Sequence, residues 1–142
     1  MEFYDILKDL MFDNGLDLKT LAELSNIDLS TLYYYRENKK SPDLNTLIKL
    51  SDYFNCSIQF LLGLTDNSEI SKKNGKKFID IYEKLLRDNK TNNYKVSKIL
   101  GISRARYYDW KKGVLPNINT LKELSKHFNV SIDYLIGRSD EE

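Results

Sequence analysis

Side chains suited to binding a negatively charged partner are concentrated between positions 95 and 112. Arg104 and Arg106 stand close together, followed by Tyr108 and Asp109. A guanidinium is a planar fork of donors that can bind two acceptors at once, such as phosphate oxygens or the O6 and N7 atoms of guanine. This set also includes Ser103, Ala105, Lys95, Lys98, Lys111 and Lys112. Such a composition predicts binding to a polyanion, with two arginines able to contact base edges.

Residue combinations typical of catalysis or metal binding do not accompany this set in the sequence. One His and one Cys are too few for an ordinary zinc site or an intrachain disulfide. Cys56 is predicted to be a small buried hydrophobic residue, and His127 to lie at the surface or half-buried. No carboxylate pair, Ser/His/Asp set or glycine-rich phosphate loop is found in the sequence. The sequence therefore predicts neither an enzyme nor a bound cofactor or metal.

The elements that must position the basic residues are two short helices within Asn93–Gly113. An apolar face at helical spacing precedes Gly101, which can end the first helix in the left-handed conformation. Ser103 is suited to cap the second helix, and Tyr107 and Trp110 would face inward at i and i+3. This pattern predicts a helix-turn-helix, whose second helix enters the DNA major groove.

The same pattern occurs twice in the chain. Asn45-Thr-Leu-Ile-Lys-Leu-Ser corresponds to Asn119-Thr-Leu-Lys-Glu-Leu-Ser, and Ser57-Ile-Gln-Phe-Leu-Leu-Gly corresponds to Ser131-Ile-Asp-Tyr-Leu-Ile-Gly. The offset is 75 residues early in the copies and 74 after Pro42 and Pro116. We expect an all-α fold with two tandem five-helix domains, residues 1–66 and 76–142, joined by a short linker at 67–75.

Helix boundaries follow from apolar periodicity, capping residues and glycines. The first copy is predicted to contain helices at Glu2–Asp13, Leu18–Ser25, Leu29–Glu37 and Leu44–Phe54, with a short fifth helix ending at Gly63. The second copy is predicted to begin with Lys76–Asp88, to contain Ile118–Phe128 and to end its fifth helix at Gly137. Expected caps are Asp17, Asp28, Asp43, Asn117, Ser57 and Ser131. Asn26 takes the position of Gly101, where it would adopt the left-handed conformation.

The order of helices and the residues on them resemble the lambda repressor and Cro type of DNA-binding domain, the xenobiotic-response-element-like family. In the second copy the resemblance is carried by Val96, Ser97, Leu100, Gly101, Ile102, Ser103, Tyr107, Trp110, Pro116, Leu121, Leu124 and the ending Val130–Gly137. In the first copy it is carried by Leu21, Ala22, Asn26, Ile27, Leu32, Tyr35, Pro42, Leu47, Leu50 and Ser57–Gly63. Arg36 and Lys111 depart from the family, which usually has Glu there. The resemblance implies sequence-specific binding of double-stranded DNA by a transcriptional regulator, as in phage or bacterial repressors, and a homodimer.

Charge divides unevenly between the copies. The whole chain carries +1, but residues 1–66 carry −5 and residues 67–142 carry +6. The first copy has Asp28 near the start of its third helix, where the second has arginines. Its candidate contact residues are Leu29, Ser30, Tyr33, Tyr34, Arg36, Lys39 and Lys40, with Tyr33 and Tyr34 exposed and Tyr35 in the core. These residues are suited either to a second DNA-binding surface or to a binding site for a protein partner.

Two assemblies and two functions stay open at this level. The copies could form an intrachain pseudo-dimer on DNA, or two chains could form a homodimer through which the basic copies bind. Instead of a repressor, the chain could be an antirepressor or inhibitor that binds a partner through residues 1–66. The sequence shows no signal peptide and no membrane span, which predicts a cytoplasmic protein.

Overall fold

The computed structural model describes residues 2–70 and 73–142, and every regular element among them is a helix. The chain divides into two compact units, Met1–Ile70 (unit 1) and Ser71–Glu142 (unit 2). Unit 1 contains α1 Phe3–Asp13, α2 Leu18–Ser25, α3 Leu29–Arg36, α4 Leu44–Phe54 and α5 Ile58–Leu61. Unit 2 contains α6 Phe78–Asp88, α7 Asn93–Leu100, α8 Ala105–Lys111, α9 Ile118–Phe128 and α10 Ile132–Leu135. The predicted all-α fold with two five-helix domains is confirmed, and the division falls within residues 67–75.

The first helix of each unit begins later than predicted. Glu2 and Lys77, the residues before α1 and α6, have extended backbone with ψ of 155° and 148°. Because of this extended backbone, both residues lie outside the helices, and α1 begins at Phe3 and α6 at Phe78. Neither helix start has a side-chain capping hydrogen bond. Helix α3 ends at Arg36, one residue before the predicted end at Glu37.

Most of the predicted caps form as hydrogen bonds from the third backbone N–H group of the helix to the capping side chain. Asp17 and Asp43 accept at 2.7 and 2.9 Å, and Ser57, Asn117 and Ser131 accept at 3.0, 2.9 and 3.0 Å. The predicted cap at Asp28 is wrong. Its side chain accepts no capping bond, because its ψ of 133° differs from the 172–173° that aims the carboxylates of Asp17 and Asp43 at the helix.

Each unit is centred on one aromatic residue of its third helix. Tyr35 is 2% exposed and makes an edge-to-face contact with Phe3, with ring centroids 5.3 Å apart. Trp110 is 3% exposed and makes the same contact with Phe78, also at 5.3 Å. The inward orientation predicted for Tyr35 and Trp110 is therefore confirmed. These anchors fix the rotation of α3 and α8 about their axes and so determine which side chains face solvent.

The end of each unit folds back on the start of its fifth helix. The backbone N–H of Ser57 donates to the carbonyl oxygen of Ser68 at 3.1 Å, and that of Ser131 donates to the carbonyl oxygen of Glu142 at 2.8 Å. Ser68 and Glu142 are related by the 74-residue offset, so the internal repeat continues through these terminal segments. Ser68, predicted to lie in the linker, is thus hydrogen-bonded within unit 1.

The residues set aside in the sequence as non-functional take the predicted positions. Cys56 is 2% exposed and lies in the core of unit 1, and His127 is exposed near the end of α9. In the described part of the chain, no group of three or more His, Cys, Asp or Glu residues is arranged to hold a metal ion. No helix within those same ranges has the length and apolar character needed to cross a membrane.

Candidate nucleic-acid interface

The turn between α7 and α8 has the backbone geometry that the sequence predicts. Gly101 adopts φ 69°, and its N–H donates to the carbonyl oxygen of Ser97, which ends α7. Ile102 follows with its N–H 2.9 Å from the same carbonyl oxygen. Asn26, at the matching position of unit 1, also has positive φ, at 60°. A left-handed residue lets the chain reverse within one turn, so α8 crosses α7 instead of continuing it.

Helix α8 begins one residue later than the Ser103 cap predicts. Ser103 Oγ accepts the N–H of Ala105 at 3.3 Å, and its carbonyl oxygen accepts the N–H of Arg106 at 3.1 Å. Arg104 has helical φ and ψ of −60° and −25° but precedes the first helical residue, Ala105. Ser103 therefore stabilises the first turn as predicted, and Arg104 projects from the turn itself.

The predicted reading residues form one exposed surface at the start of α8. Ser103, Arg104, Ala105, Arg106 and Tyr108 are exposed, and Asp109 is half-buried. This surface presents two guanidinium groups, two hydroxyls and one carboxylate to solvent.

Both arginines of this surface are held by neighbouring side chains. The Cζ atom of Arg104 lies 5.3 Å from the ring centroid of Tyr94, and Nη1 of Arg106 lies 3.7 Å from Oδ2 of Asp109. Tyr94 is 54% exposed on the first turn of α7 and is a residue that the sequence analysis missed. An aromatic residue at the start of the first helix of the motif is the signal that could have identified it.

Helix α8 is fixed on α6 through its inner side. The Tyr107 hydroxyl donates to Oε1 of Glu83 at 2.7 Å, and Tyr82 makes an edge-to-face contact with Trp110 at 5.3 Å. Burial, together with the hydrogen bond to Glu83 and its charge, raises the pKa of Tyr107 to about 12. Burial also raises the pKa of Tyr82, with a further contribution from Tyr107. Both phenols therefore stay protonated near neutral pH, and the hydrogen bond that orients α8 is retained.

The predicted backbone-binding lysines surround the reading surface. Lys95 and Lys98 are exposed on α7, and Lys111 and Lys112 are exposed at the end of α8. Lys111 Nζ lies 4.5 Å from the ring centroid of Tyr107. Within residues 2–70 and 73–142, no carboxylate lies within ion-pair distance of these four lysines. Their positive charge is therefore not neutralised by the described part of the protein.

The corresponding surface of unit 1 has a different chemistry. Tyr33 and Tyr34 are 38% and 48% exposed, as predicted, and the guanidinium of Arg36 lies 4.7 Å from the ring centroid of Tyr33. Lys39 forms an ion pair of 3.1 Å with Glu37. The other candidates are half-buried Leu29 and exposed Ser30 and Lys40. No arginine lies in the first turn of α3, so this surface lacks the feature that distinguishes α8.

These two units define a tandem helix-turn-helix protein, with α2–α3 and α7–α8 as the paired helices. The helix-turn-helix family HTH_3 matches the chain twice, at residues 7–61 and 81–135, which together are most of its length. The chain belongs to this family.

Relatives of similar sequence include proteins named as HTH-type transcriptional regulators. The chain is 40% identical over 68 residues to the HTH-type transcriptional regulator ImmR of Bacillus subtilis, covering 48% of this chain and 51% of ImmR. It is 32% identical over 76 residues to the uncharacterized HTH-type transcriptional regulator YobD of Bacillus subtilis. This match covers 52% of this chain and 68% of YobD. This chain also matches a crystal structure of a transcriptional regulator from Listeria innocua, with 28% identity and a TM-score of 0.41. The match covers 69% of this chain and 85% of the Listeria innocua chain. The chain thus spans about half the length of ImmR.

Proposed function

We propose that this chain is a sequence-specific DNA-binding transcriptional regulator of the repressor type, in which unit 2 reads the DNA. The observation that carries the proposal is the pair of exposed arginines, Arg104 and Arg106, at the start of the second helix of a helix-turn-helix. In this motif the first residues of the second helix contact base edges in the major groove. The family and the names of its relatives support the same function.

The mechanism divides the basic residues into two roles. Arg104 and Arg106 contact guanine O6 and N7, an interaction worth about 1–3 kcal/mol of discrimination for each good bidentate pair. Phosphates on either side are bound by the four lysines Lys95, Lys98, Lys111 and Lys112. Ser103 and Tyr108 add hydroxyl contacts to phosphates or bases, while Ala105 permits close approach. Bound in this way, the protein blocks access of other proteins to the operator or recruits them to it.

Asp109 has a more specific part in this proposal. Its carboxylate is 3.7 Å from the Arg106 guanidinium in the free protein, and it is half-buried. It therefore orients Arg106 before DNA binds, and on DNA it can also accept a hydrogen bond from the N4 amino group of cytosine.

Two chains are proposed to act together as a homodimer. Helix-turn-helix proteins bind half-sites about 34–36 Å apart with two equivalent recognition helices. Helices α3 and α8 are not equivalent, because only α8 has arginines at its start. A homodimer supplies two copies of α8, whereas an intrachain pseudo-dimer would pair α8 with α3.

Unit 1 supports a second candidate function, binding of a protein partner by an antirepressor or inhibitor. Residues 1–66 carry −5, and Tyr33 and Tyr34 expose aromatic surface of the kind enriched in protein interfaces. Phosphate repulsion disfavours independent DNA binding by this unit. Residues 1–66 alone are expected to bind DNA poorly, and tight specific binding by that fragment would contradict this assignment.

The deciding experiment is selection of bound duplexes from a random pool, followed by gel shifts on the selected site. Arg104→Ala with Arg106→Ala should abolish the sequence preference while leaving the helical circular dichroism spectrum unchanged. Arg87→Ala, on the exposed side of α6, is the matched control and should bind as the wild type. Unchanged binding of the selected site by the double variant would refute the assignment of these arginines.

A further inference from the structure

Unit 1 contains a groove between α1 and the terminal segment that follows α5. It has a volume of about 310 Å³ and combines an apolar floor with an acidic rim. Its lining residues are Ile6, Leu10, Phe60, Gly63, Thr65, Asp9, Asp13 and Asp66. The groove lies outside the helix-turn-helix of unit 1, and its chemistry is opposite to that of a DNA-binding surface.

The internal repeat shows what fills the equivalent position of unit 2. Asp9 corresponds to Lys84, whose ammonium lies 2.9 Å from Asp88 Oδ2 and 4.0 Å from Glu142 Oε1. Asp88 is the counterpart of Asp13. The pKa of Lys84 is raised by its hydrogen bond to Asp88 and by its electrostatic interaction with Tyr134, the counterpart of Phe60. In unit 2, therefore, a lysine side chain with two carboxylate partners takes the position that Asp9 has at the edge of the groove in unit 1.

Burial of the surrounding residues agrees with this comparison. Leu85 and Tyr134 in unit 2 are 4% and 7% exposed, whereas their counterparts Leu10 and Phe60 are only half-buried. The terminal segments differ as well, because residues before α6 cover that of unit 2: Asn74 Nδ2 donates to the carbonyl oxygen of Ser139 at 2.8 Å, and the carbonyl oxygen of Lys76 lies against Gly137, the counterpart of Gly63.

The acidic rim of the groove lacks a counter-charge in the described ranges. Asp9 and Asp13 are four residues apart on α1, and like charges at this spacing destabilise a helix. Within residues 2–70 and 73–142, no Lys, Arg or His forms an ion pair with Asp9, Asp13 or Asp66. The side chain that complements this groove is one with an apolar stem and a cationic end, which describes lysine.

We propose that the groove of unit 1 binds a lysine side chain presented by a peptide segment of a partner protein. The ammonium lies among Asp9, Asp13 and Asp66, and the methylene stem packs on Leu10 and Phe60. This interaction does not depend on the DNA-binding function proposed for unit 2. A second copy of the chain is the alternative occupant, and self-association distinguishes it from a partner protein.

A synthetic peptide tests the proposal on the full chain. The probe is N-acetyl-Lys-Asn-Gly-Lys-Lys-amide, which has the sequence of residues 73–77 before α6, and its control has Gln in place of each Lys. Titration of the ¹⁵N-labelled protein should give saturable amide shift changes confined to the groove, including Leu10, Gly63 and Thr65. The Gln peptide should give none of these changes.

Two charge reversals and a matched control make the test specific. Asp9→Lys introduces the residue that unit 2 has at this position, and it should weaken peptide binding about two- to fivefold, as loss of an exposed ion pair implies. Asp66→Lys should act in the same direction from the other wall. Glu23→Lys makes the same charge change on exposed α2 and should leave the affinity unchanged.

Three outcomes would overturn the proposal. The first is equal affinity of the wild type and both groove variants for the lysine peptide. The second is a set of shift changes centred on α3 instead of the groove, which would assign the binding to the tyrosine surface. The third is self-association in sedimentation experiments that Asp9→Lys abolishes and Glu23→Lys does not, which would identify the occupant as a second copy.

Discussion

The guanidinium of Arg104 lies over the ring of Tyr94, with Cζ 5.3 Å from the ring centroid. The contact joins the first turn of α7 to the turn that precedes α8. A cation–π interaction at an exposed site contributes about 0.5–1 kcal/mol, which is enough to favour one arrangement of a long side chain. In the DNA complex proposed above, Tyr94 would hold Arg104 in place before binding and so reduce the side-chain entropy lost on binding.

Removing the Tyr94 ring should weaken binding to the selected DNA site. Tyr94→Ala is expected to lower affinity about two- to fivefold, the equivalent of that cation–π contribution, while Tyr94→Phe retains the ring and most of the affinity. A double-mutant cycle with Arg104→Ala, measured by gel shift, separates this coupling from a direct contact of Tyr94 with DNA. Strictly additive effects of Tyr94→Ala and Arg104→Ala would show that the two side chains act independently.

Salt dependence should identify the lysines that contact phosphates. Each neutralised phosphate contributes about −0.9 to the slope of log K against log salt concentration. Lys95→Ala or Lys112→Ala should therefore make the slope shallower by about one while weakening binding to all sequences equally. Lys126→Ala, exposed on α9, serves as the control. If a lysine variant changed the preferred sequence but not the slope, that lysine would contact bases instead of phosphates.

The hydrogen bond from Tyr107 to Glu83 should stabilise unit 2. Tyr107→Phe removes the donor and is expected to lower the free energy of unfolding by about 1 kcal/mol, since Glu83 keeps access to water. Tyr108→Phe is the matched control, because Tyr108 is 63% exposed. Urea unfolding followed by the fluorescence of Trp110, the single Trp of the chain, reports on unit 2. Equal midpoints for the two variants would assign Tyr107 a packing role only.

The two units should respond differently to acid because their helix caps differ. Unit 1 uses Asp17 and Asp43 where unit 2 uses Asn92 and Asn117. Hydrogen bonds from the backbone N–H of the third helical residue lower the pKa of both aspartates below the ordinary 3.8. A lowered pKa in the folded state stabilises the protein above the unfolded pKa, and this stabilisation is lost as pH falls through the folded pKa.

Acid should therefore open α2 and α4 before their counterparts in unit 2. Below about pH 4, the protection of the amides of Thr20 and Thr46 against hydrogen exchange, relative to their intrinsic rates at the same pH, is expected to fall more than that of Lys95 and Thr120. Asp17→Asn with Asp43→Asn keeps the caps but removes their titration, and it should bring the two units to similar acid sensitivity at these amides. If the double variant retained the acid sensitivity of the wild type, other carboxylates would be responsible.

Much of the fold could be predicted from local patterns. Gly101 and Asn26 identify the left-handed ends of α7 and α2, and five of the six predicted capping residues accept the expected hydrogen bond. Asp28 was not predicted correctly, because aspartate is a common capping residue but the backbone ψ of Asp28 does not direct its carboxylate at the helix.

Contacts between helices were less accessible from the sequence. Tyr94 is on α7 and Arg104 is in the turn before α8, so their distance depends on the geometry of that turn. Glu83 and Tyr107 are 24 residues apart and meet only because α8 packs on α6.

The sequence by itself determined the helical class, the repeat and the side of α8 that faces solvent, because these depend on periodicity and backbone preferences within a few residues. Only the tertiary structure decided that Arg104 rests on Tyr94, that Glu83 accepts from Tyr107, and that Asp9, Asp13 and Asp66 surround one groove. Such contacts depend on how helices cross and how side chains fill the space between them, which hydrophobic periodicity does not specify.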